Sequence, residues 1–243
     1  MTLSVQLYTV REDLARDVPG TLARLAELGL TQVEPFALTR YADALGPALA
    51  ATGLTAPTAH QRVLGNDLDD VFGAAAALGV ETVIDPRVDP ARWTSVADVE
   101  AIADELGAAA DVAARHGVRV GYHNHAEEMV VLNGATALEV LAARLDDTVV
   151  LEVDTYWAAV GGQDPVALLR RLGERVTAIH LKDGPATADV RDQVAVGRGE
   201  MPIAAIVDAA PHALRVVELD DTRGDRFQAI ADSVTWLREQ GLA

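Results

Sequence analysis

Four residues whose side chains commonly bind metal ions each lie near the carboxyl end of a different predicted strand. They are Glu128, Asp154, His180 and Glu218. Asp154 lies 26 residues after Glu128, His180 lies 26 residues after Asp154, and Glu218 lies 38 residues after His180. These spacings correspond to one strand-and-helix unit each, the last with a longer loop. Because the carboxyl ends of parallel strands meet at one rim, we expect the four side chains to lie close together.

A cation is needed to hold such a group together. Three carboxylates and one imidazole in one cavity would otherwise repel each other strongly. Taken alone, each residue has an ordinary structural explanation, such as a helix N-cap for Asp154, but four on consecutive strands favour a shared ion. A donor set rich in oxygen and free of sulfur favours Mn²⁺, with Mg²⁺ and Co²⁺ as further candidates, and Zn²⁺ also binds such ligands. The sequence therefore predicts a divalent metal cofactor.

The elements that would position these residues alternate along the whole chain. Short apolar, β-branched segments are followed by longer helical patterns, which is typical of parallel βα units. The predicted strands are 3–8, 32–34, 55–58, 82–84, 119–123, 149–154, 178–182 and 215–218. The predicted helices are 18–28, 41–52, 67–78, 95–116, 135–144, 165–172, 202–209 and 226–240. Eight pairs predict an α/β fold, a single-domain (β/α)₈ TIM barrel over residues 1–243.

The competing fold is an open, doubly wound sheet. That fold commonly carries a glycine-rich phosphate loop after its first strand. In this chain the sequence Tyr8-Thr9-Val10-Arg11 stands at that position instead. Short helix-to-strand turns and longer strand-to-helix segments also favour the barrel, whose active sites are built from the strand-to-helix loops.

Composition excludes several functional classes. With 20 Lys and Arg against 37 Asp and Glu, the formal charge is −17, which argues against a nucleic-acid partner. No apolar run approaches the roughly 18 residues of a membrane span, so we expect no membrane partner. The chain has no cysteine, which excludes disulfides, thiolate zinc sites and a cysteine nucleophile. The N-terminal segment lacks the pattern of a signal peptide, so we expect a cytoplasmic protein. The sequence is also compatible with a homo-oligomer.

Segments at the predicted strand ends carry a family resemblance. They are Val5-Gln6-Leu7-Tyr8-Thr9-Val10-Arg11, Gly121-Tyr122-His123-Asn124-His125, Glu152-Val153-Asp154-Thr155-Tyr156-Trp157, Ile179-His180-Leu181-Lys182-Asp183 and Val217-Glu218. Together they resemble the sugar phosphate isomerase/epimerase superfamily of xylose isomerase-like TIM barrels. The resemblance implies that the metal ligands are Glu128, Asp154, His180 and Glu218. Residues 123–128 depart from the subgroup's usual His-Asn-His-Asp-Phe-Glu, so Glu127 is the reserve candidate for the first ligand.

Other polar residues near the predicted rim are candidate contacts to a small carbohydrate substrate. They are His60, His123, His125, Trp157 and Glu34. Trp157 could stack on a sugar face, and Lys182 is a candidate catalytic residue that could polarise a carbonyl or bind an anionic group. The glycine-rich segment 196–202 could hold an anion at the start of the following helix, or it could be an ordinary turn into that helix.

The resemblance implies metal-dependent chemistry on a hydroxy-ketone. A chelated divalent ion acidifies the C–H between two substrate oxygens and stabilises an enediolate. Glu128 and Glu218, on opposite sides of the sugar, could then move a proton between faces or between carbons, which gives epimerisation or isomerisation. Elimination from the same enediolate would make the protein a dehydratase or lyase. A sugar-binding barrel without catalysis is a further alternative. Endonuclease IV-like enzymes share this fold, but they need a histidine-rich site for several zinc ions and a surface that binds DNA. A chain with only six histidines and a charge of −17 does not fit that class.

Overall fold

The structure, a computed structural model, describes residues 3–243 as an alternating series of strands and helices. The strands are β1 (Leu3–Val5), β2 (Thr58–His60), β3 (Thr82–Asp85), β4 (Arg119–His123), β5 (Val131–Leu132), β6 (Ala135–Thr136), β7 (Val149–Asp154), β8 (Val176–Leu181) and β9 (Leu214–Val217). The helices are α1 (Arg11–Arg16), α2 (Val18–Glu27), α3 (Leu38–Thr52), α4 (Leu68–Ala77), α5 (Val96–Arg115), α6 (Ala137–Arg144), α7 (Thr155–Val160), α8 (Pro165–Leu172), α9 (Ile203–Ala209) and α10 (Arg226–Glu239).

Seven of the strands form one parallel sheet in the order β1-β9-β8-β7-β4-β3-β2. The predicted second strand forms isolated parallel bridges rather than a continuous ladder. These bridges pair Gln6 with Glu34, Gln32 with Thr55 and Phe36 with His60. Segment 32–36 therefore lies between β1 and β2, at the eighth position of the sheet. The predicted α/β TIM barrel is confirmed.

Helix ends follow the expected local chemistry. In α5, Ser95 caps the first turn by accepting a hydrogen bond from the Asp98 amide. The buried side chains of α5 then recur every three or four residues, as in Val99, Ile102 and Leu106, so one face of the helix packs on the barrel. At the end of α3, Gly53 adopts a left-handed conformation with φ 73° and ψ 9°, which glycine reaches without the steric cost of a Cβ.

Three departures from the predicted elements lie in the strand-to-helix connections. The first strand ends at Val5, because Leu7–Val10 turns into a 3₁₀ helix that leads into α1. Helix α7 starts directly at the end of β7. A small antiparallel hairpin, β5 and β6, lies between β4 and α6. All three add backbone at the carboxyl ends of barrel strands.

Side chains alternate in direction along each strand, so every second residue faces the barrel interior. The end of β7 places Glu152 and Asp154 on the same face, and both are buried. The opposite faces of the strands carry the apolar residues that meet the helices, such as Val149, Leu151 and Val153 on β7. Within residues 3–243, no helix is both long and apolar enough to cross a bilayer.

Candidate active site

The parallel register brings the carboxyl ends of four strands together. Asp154, the last residue of β7, lies opposite His180 of β8. Glu218 directly follows β9, and His123 is the last residue of β4. Ligand atoms from His123, Asp154, His180 and Glu218 all lie within 4.8 Å of one another, and all four residues are buried. Three of the four predicted metal ligands therefore meet, as the spacing of the strands implied.

His180 lies among three carboxylates. Its Nδ1 is 2.7 Å from Glu218 Oε2, and its Nε2 is 2.8 Å from Glu34 Oε1 and 3.0 Å from Glu152 Oε2. Burial alone would lower the pKa of His180, but Glu152 and Glu218 together raise it well above the usual value for histidine. The carboxylates around the ring therefore outweigh the effect of burial on this pKa, and each ring nitrogen faces a carboxylate oxygen.

His123 is held in a similar way. Its Nδ1 is 3.1 Å from Glu152 Oε2, and its Nε2 is 3.6 Å from Asp154 Oδ2. The same Glu152 oxygen is 2.5 Å from His60 Nε2. Burial and the nearby charge of His180 lower the pKa of His123 well below its usual value. His123 is therefore neutral, and a neutral imidazole can offer a nitrogen lone pair to a metal ion.

Lys182 supplies a positive charge beside this group. Its Nζ lies 2.9 Å from Asp154 Oδ2, 2.8 Å from Glu218 Oε2 and 2.7 Å from Asp220 Oδ2. Burial would lower the pKa of Lys182, but the three carboxylates raise it well above the usual value for lysine. Lys182 and His180 in turn hold the pKa of Glu218 well below its usual value, against the effect of burial.

The donor set fits a divalent metal ion. His180 Nδ1 faces Glu218, while its Nε2 faces Glu34. Metal-bound histidines usually place their second nitrogen against such a carboxylate. Asp154 Oδ2 is buried and forms no hydrogen bond, and the cation nearest to it is the Lys182 ammonium. This oxygen faces positive charge rather than a hydrogen-bond network, and a buried carboxylate oxygen in such a position is suited to a cation.

Glu128 does not join this group. Its Oε1 accepts a hydrogen bond from the Tyr122 hydroxyl at 2.5 Å, and its Oε2 accepts one from the His125 amide at 2.8 Å. Tyr122 precedes His123 on β4 and therefore points to the opposite face of the sheet, where its ring packs against Trp93. Burial raises the pKa of Glu128 to about 7. Its assignment as a ligand and base stays a prediction that this position does not support.

The side chains of His123, Asp154, His180 and Glu218 are called the metal-binding group here because their donor atoms are close enough to share one ion. The reserve candidate, Glu127, also lies apart from this group. Its carboxylate forms an ion pair with Arg87 at 2.9 Å, and both side chains are partly exposed. In the part of the chain that the structure describes, neither Glu127 nor Glu128 belongs to a group of side chains close enough to share a metal ion. The fourth member of the group, beside Asp154, His180 and Glu218, is His123, which the sequence predicts as a substrate contact.

A cavity of about 690 Å³ opens above the metal-binding group. His60, His123 and Glu218 line it from below. Aromatic side chains contribute to its walls, among them Tyr8, Phe36 and Trp157. Arg11, Arg62 and Arg87 also line it. A cavity of this size, with apolar walls and a few converging polar groups, suits a small polar molecule.

Four of the five predicted substrate contacts line this cavity: His60, His123, His125 and Trp157. His125 lines it, and the Nδ1 of His125 is buried without a hydrogen-bond partner. Burial, with the charges of Lys182 and Arg87, lowers the pKa of His125 to about 4, so the ring is neutral near pH 7. Trp157 also lines the cavity, and its indole N–H donates to Asp220 Oδ2 at 3.1 Å. Both side chains can therefore reach a bound ligand.

Glu34, in contrast, is fully buried beneath the group. Its Oε1 accepts a hydrogen bond from Gln6 Nε2 at 2.7 Å, and its Oε2 accepts a short one from the Thr58 hydroxyl. Burial and the neighbouring Glu152 raise the pKa of Glu34. Its contacts orient His180 from below, and its role as a substrate contact stays a prediction.

Backbone amides of the glycine-rich segment 196–202 bind the side-chain carboxylate of Asp183. Asp183 Oδ2 accepts from the amides of Gly197 at 2.8 Å and Gly199 at 3.1 Å. Asp183 Oδ1 accepts from the amides of Gly184 at 2.8 Å and Met201 at 3.0 Å. These amides are therefore satisfied by a carboxylate, which favours the ordinary turn over a phosphate site.

Two residues of the site have no role in the sequence predictions. Glu152 joins His60, His123 and His180, and its position two residues before Asp154 on a buried strand was the available signal, because side chains two apart share a face. Asp220 binds Lys182, Trp157 and Gln193 through one oxygen. Asp220 follows Glu218 with the same spacing of two, but it lies beyond the strand, where alternation no longer applies.

The fold and the site define an α/β barrel with a buried carboxylate and histidine group at the carboxyl ends of its strands. The chain belongs to the xylose isomerase-like TIM barrel family, which it matches over residues 5–240. It is 27% identical over 222 residues to inosose dehydratase of Geobacillus kaustophilus (strain HTA426), covering 85% of this chain and 70% of the relative.

Solved structures share the whole fold at lower identity. A sugar phosphate isomerase/epimerase from Parabacteroides distasonis ATCC 8503 superposes with a TM-score of 0.85 at 23% identity, covering 98% of this chain and 93% of the other. The IOLI protein with a binding zinc atom superposes with a TM-score of 0.76 at 15% identity, covering 100% and 98%. The predicted family is confirmed, and the named relatives include enzymes that act on sugars and related polyols.

Proposed function

We propose that the protein is a divalent-metal-dependent isomerase or epimerase that acts on a keto-sugar. The observation that carries the proposal is the convergence of His123, Asp154, His180 and Glu218 within 4.8 Å. Two of these residues, His123 and Glu218, also line the cavity, so an ion held there is within reach of a bound ligand. The sugar phosphate isomerase/epimerase relative supports the reaction class.

Asp154, His180 and Glu218 are the proposed metal ligands, with His123 as the fourth. When bound, a divalent ion supplies Lewis-acid polarisation of substrate oxygens, which acidifies the neighbouring C–H. We propose Mn²⁺, because two carboxylates among the donors favour a hard cation, and the zinc atom in the IOLI protein keeps Zn²⁺ as the second candidate. Glu34 and Glu152 would orient the two histidines through their second nitrogens.

Glu218 is the proposed general base. It is the member of the metal-binding group whose carboxylate lines the cavity, and Lys182 and His180 keep it ionised. A carboxylate in that position can take the proton next to the substrate carbonyl and leave an enediolate. Glu218 can return the proton to the neighbouring carbon, which gives isomerisation, and the neutral ring of His125 at the cavity wall is proposed to bind a substrate hydroxyl rather than to carry a proton. Glu128, the other base expected from the sequence, is not among the residues that line the cavity.

The ring faces of Trp157 and Phe36 would pack on the substrate, while the polar groups of His60 and His125 would bind its hydroxyls. We propose a small carbohydrate as the partner, with neither nucleic acid nor a membrane involved. We also propose that residues 1–243 act as one domain in the cytoplasm. The formal charge of −17 supports the proposal that no nucleic acid is involved, because nucleic-acid binding depends on clustered Lys and Arg.

The second candidate function is a metal-dependent dehydratase that eliminates a β-hydroxyl from an inosose or a 3-keto-glycoside. Glu218 removes the same proton in this reaction. The leaving hydroxyl is then protonated by Lys182, whose side chain is held in the charged form by three carboxylates, and no proton returns to carbon. The similarity to inosose dehydratase over 85% of the chain supports this candidate.

One experiment tests both candidates. Purified protein loaded with Mn²⁺ is incubated in D₂O with ketoses, inososes and 3-keto-glycosides, and the products are followed by NMR. An isomerase or epimerase gives deuterium at the carbon next to the carbonyl and a new isomer, whereas a dehydratase gives an unsaturated product. The matched control is Asp154→Asn, which should lose exchange. Absence of exchange for every substrate with the loaded wild type would reject enolising chemistry.

A further inference from the structure

The Lys182 ammonium lies where three carboxylates converge. Its Nζ is 2.9 Å from Asp154 Oδ2, 2.8 Å from Glu218 Oε2 and 2.7 Å from Asp220 Oδ2. The side chain is 1% exposed, and the Asp154 carboxylate is fully buried. Such a buried ammonium is stable only with this many close counter-charges.

Two of these three oxygens also belong to the proposed metal site. Asp154 Oδ2 faces His123 Nε2 at 3.6 Å, and Glu218 Oε2 faces His180 Nδ1 at 2.7 Å. A metal ion between these side chains would use the same oxygen atoms that now contact Lys182. A divalent ion and an ammonium on shared oxygens would lie within a few ångströms of each other and repel strongly, because Asp154, Lys182 and Glu218 are all buried.

The third carboxylate offers the ammonium a position outside the metal-binding group. Asp220 Oδ2 is fixed by hydrogen bonds from Gln193 Nε2 at 2.8 Å and from Trp157 Nε1 at 3.1 Å. The Lys182 Nζ also lies 5.9 Å from the centre of the Trp157 ring, a distance at which an aromatic face attracts a cation. Lys182 can therefore leave Asp154 and Glu218 and keep a counter-charge.

We infer that Lys182 is an internal counter-ion that competes with the divalent metal ion for Asp154 and Glu218, and that it shifts onto Asp220 when the metal binds. This inference rests on the proposed metal site and adds a function for a residue outside the ligand set. It has two consequences. Lys182 stabilises the metal-free protein by neutralising Asp154 and Glu218, and it lowers metal affinity below the value that the donor set would give alone.

The test measures Mn²⁺ affinity by competition with a fluorescent chelator. Lys182→Met removes the charge and keeps most of the side-chain volume, and we expect it to bind Mn²⁺ about tenfold more tightly or better than the wild type. The matched control is Arg87→Met, which also removes one positive charge at the cavity but pairs with Glu127 rather than with a metal-binding oxygen. The control should change affinity by less than about threefold, because its charge is partly exposed and screened.

Stability provides a second measurement on the same variants. Metal-free Lys182→Met should unfold at a lower temperature than the metal-free wild type, because it leaves buried carboxylates without a counter-charge. Saturating Mn²⁺ should raise its melting temperature more than it raises that of the wild type. An equal metal-induced shift in both proteins would overturn the inference.

Crystal structures of the wild type with and without Mn²⁺ keep the inference testable if the variant does not fold. With Mn²⁺ bound, Nζ should remain on Asp220 and lie beyond hydrogen-bonding distance of Asp154 Oδ2 and Glu218 Oε2. Unchanged contacts to all three carboxylates, or unchanged Mn²⁺ affinity in Lys182→Met, would overturn the inference and leave the proposed metal site intact. If neither the wild type nor Lys182→Met binds Mn²⁺, both the inference and the proposed metal site fail.

Discussion

His180 Nε2 lies 2.8 Å from Glu34 Oε1, so a carboxylate from beneath the barrel floor fixes the orientation of a histidine at the candidate metal site. Glu34 is itself held by Gln6 and Thr58 and has no exposed surface. This chain of contacts presents His180 Nδ1 to Glu218. Glu34 therefore contributes to the site without needing to touch the substrate.

Glu34→Gln should weaken metal binding without abolishing it. An amide has one hydrogen-bond acceptor where the carboxylate has two, so the orientation and basicity of His180 decline. Comparable changes around metal-bound histidines cost about 10-fold to 100-fold in affinity. The measurement is Mn²⁺ or Zn²⁺ titration, with the exposed Glu100→Gln as a control that removes the same charge from α5. Equal affinities in the two variants would contradict the positioning role.

Asp154→Asn should lose the bound metal ion, whereas Glu128→Gln should keep it. Asp154 contributes a buried oxygen that lies beside His123 and Lys182, whereas both Glu128 oxygens are bonded to Tyr122 and the His125 amide. We expect elemental analysis to find a metal ion in Glu128→Gln and to find it lost in Asp154→Asn. Chelator treatment should lower the melting temperature of Glu128→Gln as it does for the wild type, because a ligand at one hundred times its Kd stabilises by about 2.7 kcal/mol. Loss of metal in Glu128→Gln would restore Glu128 as a ligand.

Glu128 should make stability depend on pH. Burial raises its pKa from 4.5 to about 7, so between these values the folded protein binds more protons than the unfolded chain. Its contribution to stability therefore falls as pH rises through this window and levels off above about pH 7. Between pH 5 and pH 8, the chelator-treated wild type should lose about 2 to 3 kcal/mol more than Glu128→Gln. Urea unfolding at both pH values gives the comparison, and parallel curves would refute the raised pKa.

The sequence predicts the barrel well because its signals are local and repeated. The strands at 119–123 and 149–154 coincide with β4 and β7, since both are short apolar segments between clear helices. The hairpin β5–β6 was missed, although Asn133 and Gly134 form the kind of two-residue turn that signals a hairpin. The sequence predicts a strand over 32–34, but only isolated bridges form there, at Gln32 and Glu34, with a third at Phe36.

The sequence predicts the part of the candidate site that lies on strands, because the strand pattern is local. Asp154 and His180 lie within strands, and Glu218 directly follows one, so position along the chain fixed where their side chains meet. Glu128 lies five residues beyond His123, the last residue of β4, inside a 3₁₀ turn whose direction sequence spacing does not determine. Contacts between residues far apart in the chain, such as Glu34 with His180, also have no local signal.

Trp157→Ala should weaken substrate binding more than it slows the chemical step. An aromatic wall contacts the ground state and the transition state alike, so its removal raises KM and leaves kcat nearly unchanged. Trp157→Phe is the matched variant, because it keeps a ring face and loses the hydrogen bond to Asp220. Steady-state kinetics on the substrate found by the NMR screen gives both constants. A fall in kcat at constant KM for Trp157→Ala would show a role in the reaction step instead.

Gly199→Ala should disrupt the turn that Asp183 organises. A Cβ at Gly199 would lie 2.2 Å from the Gly184 amide nitrogen and 2.3 Å from Asp183 Oδ1, so the backbone and the carboxylate would have to move apart. Asp183 would then lose amide donors, and a buried polar group left unpaired costs about 1 to 3 kcal/mol. Gly224→Ala is the control, because a Cβ there meets no atom within 4 Å. Urea unfolding should show a loss of stability for Gly199→Ala and little change for Gly224→Ala, and equal stabilities would show that the turn does not depend on this close approach.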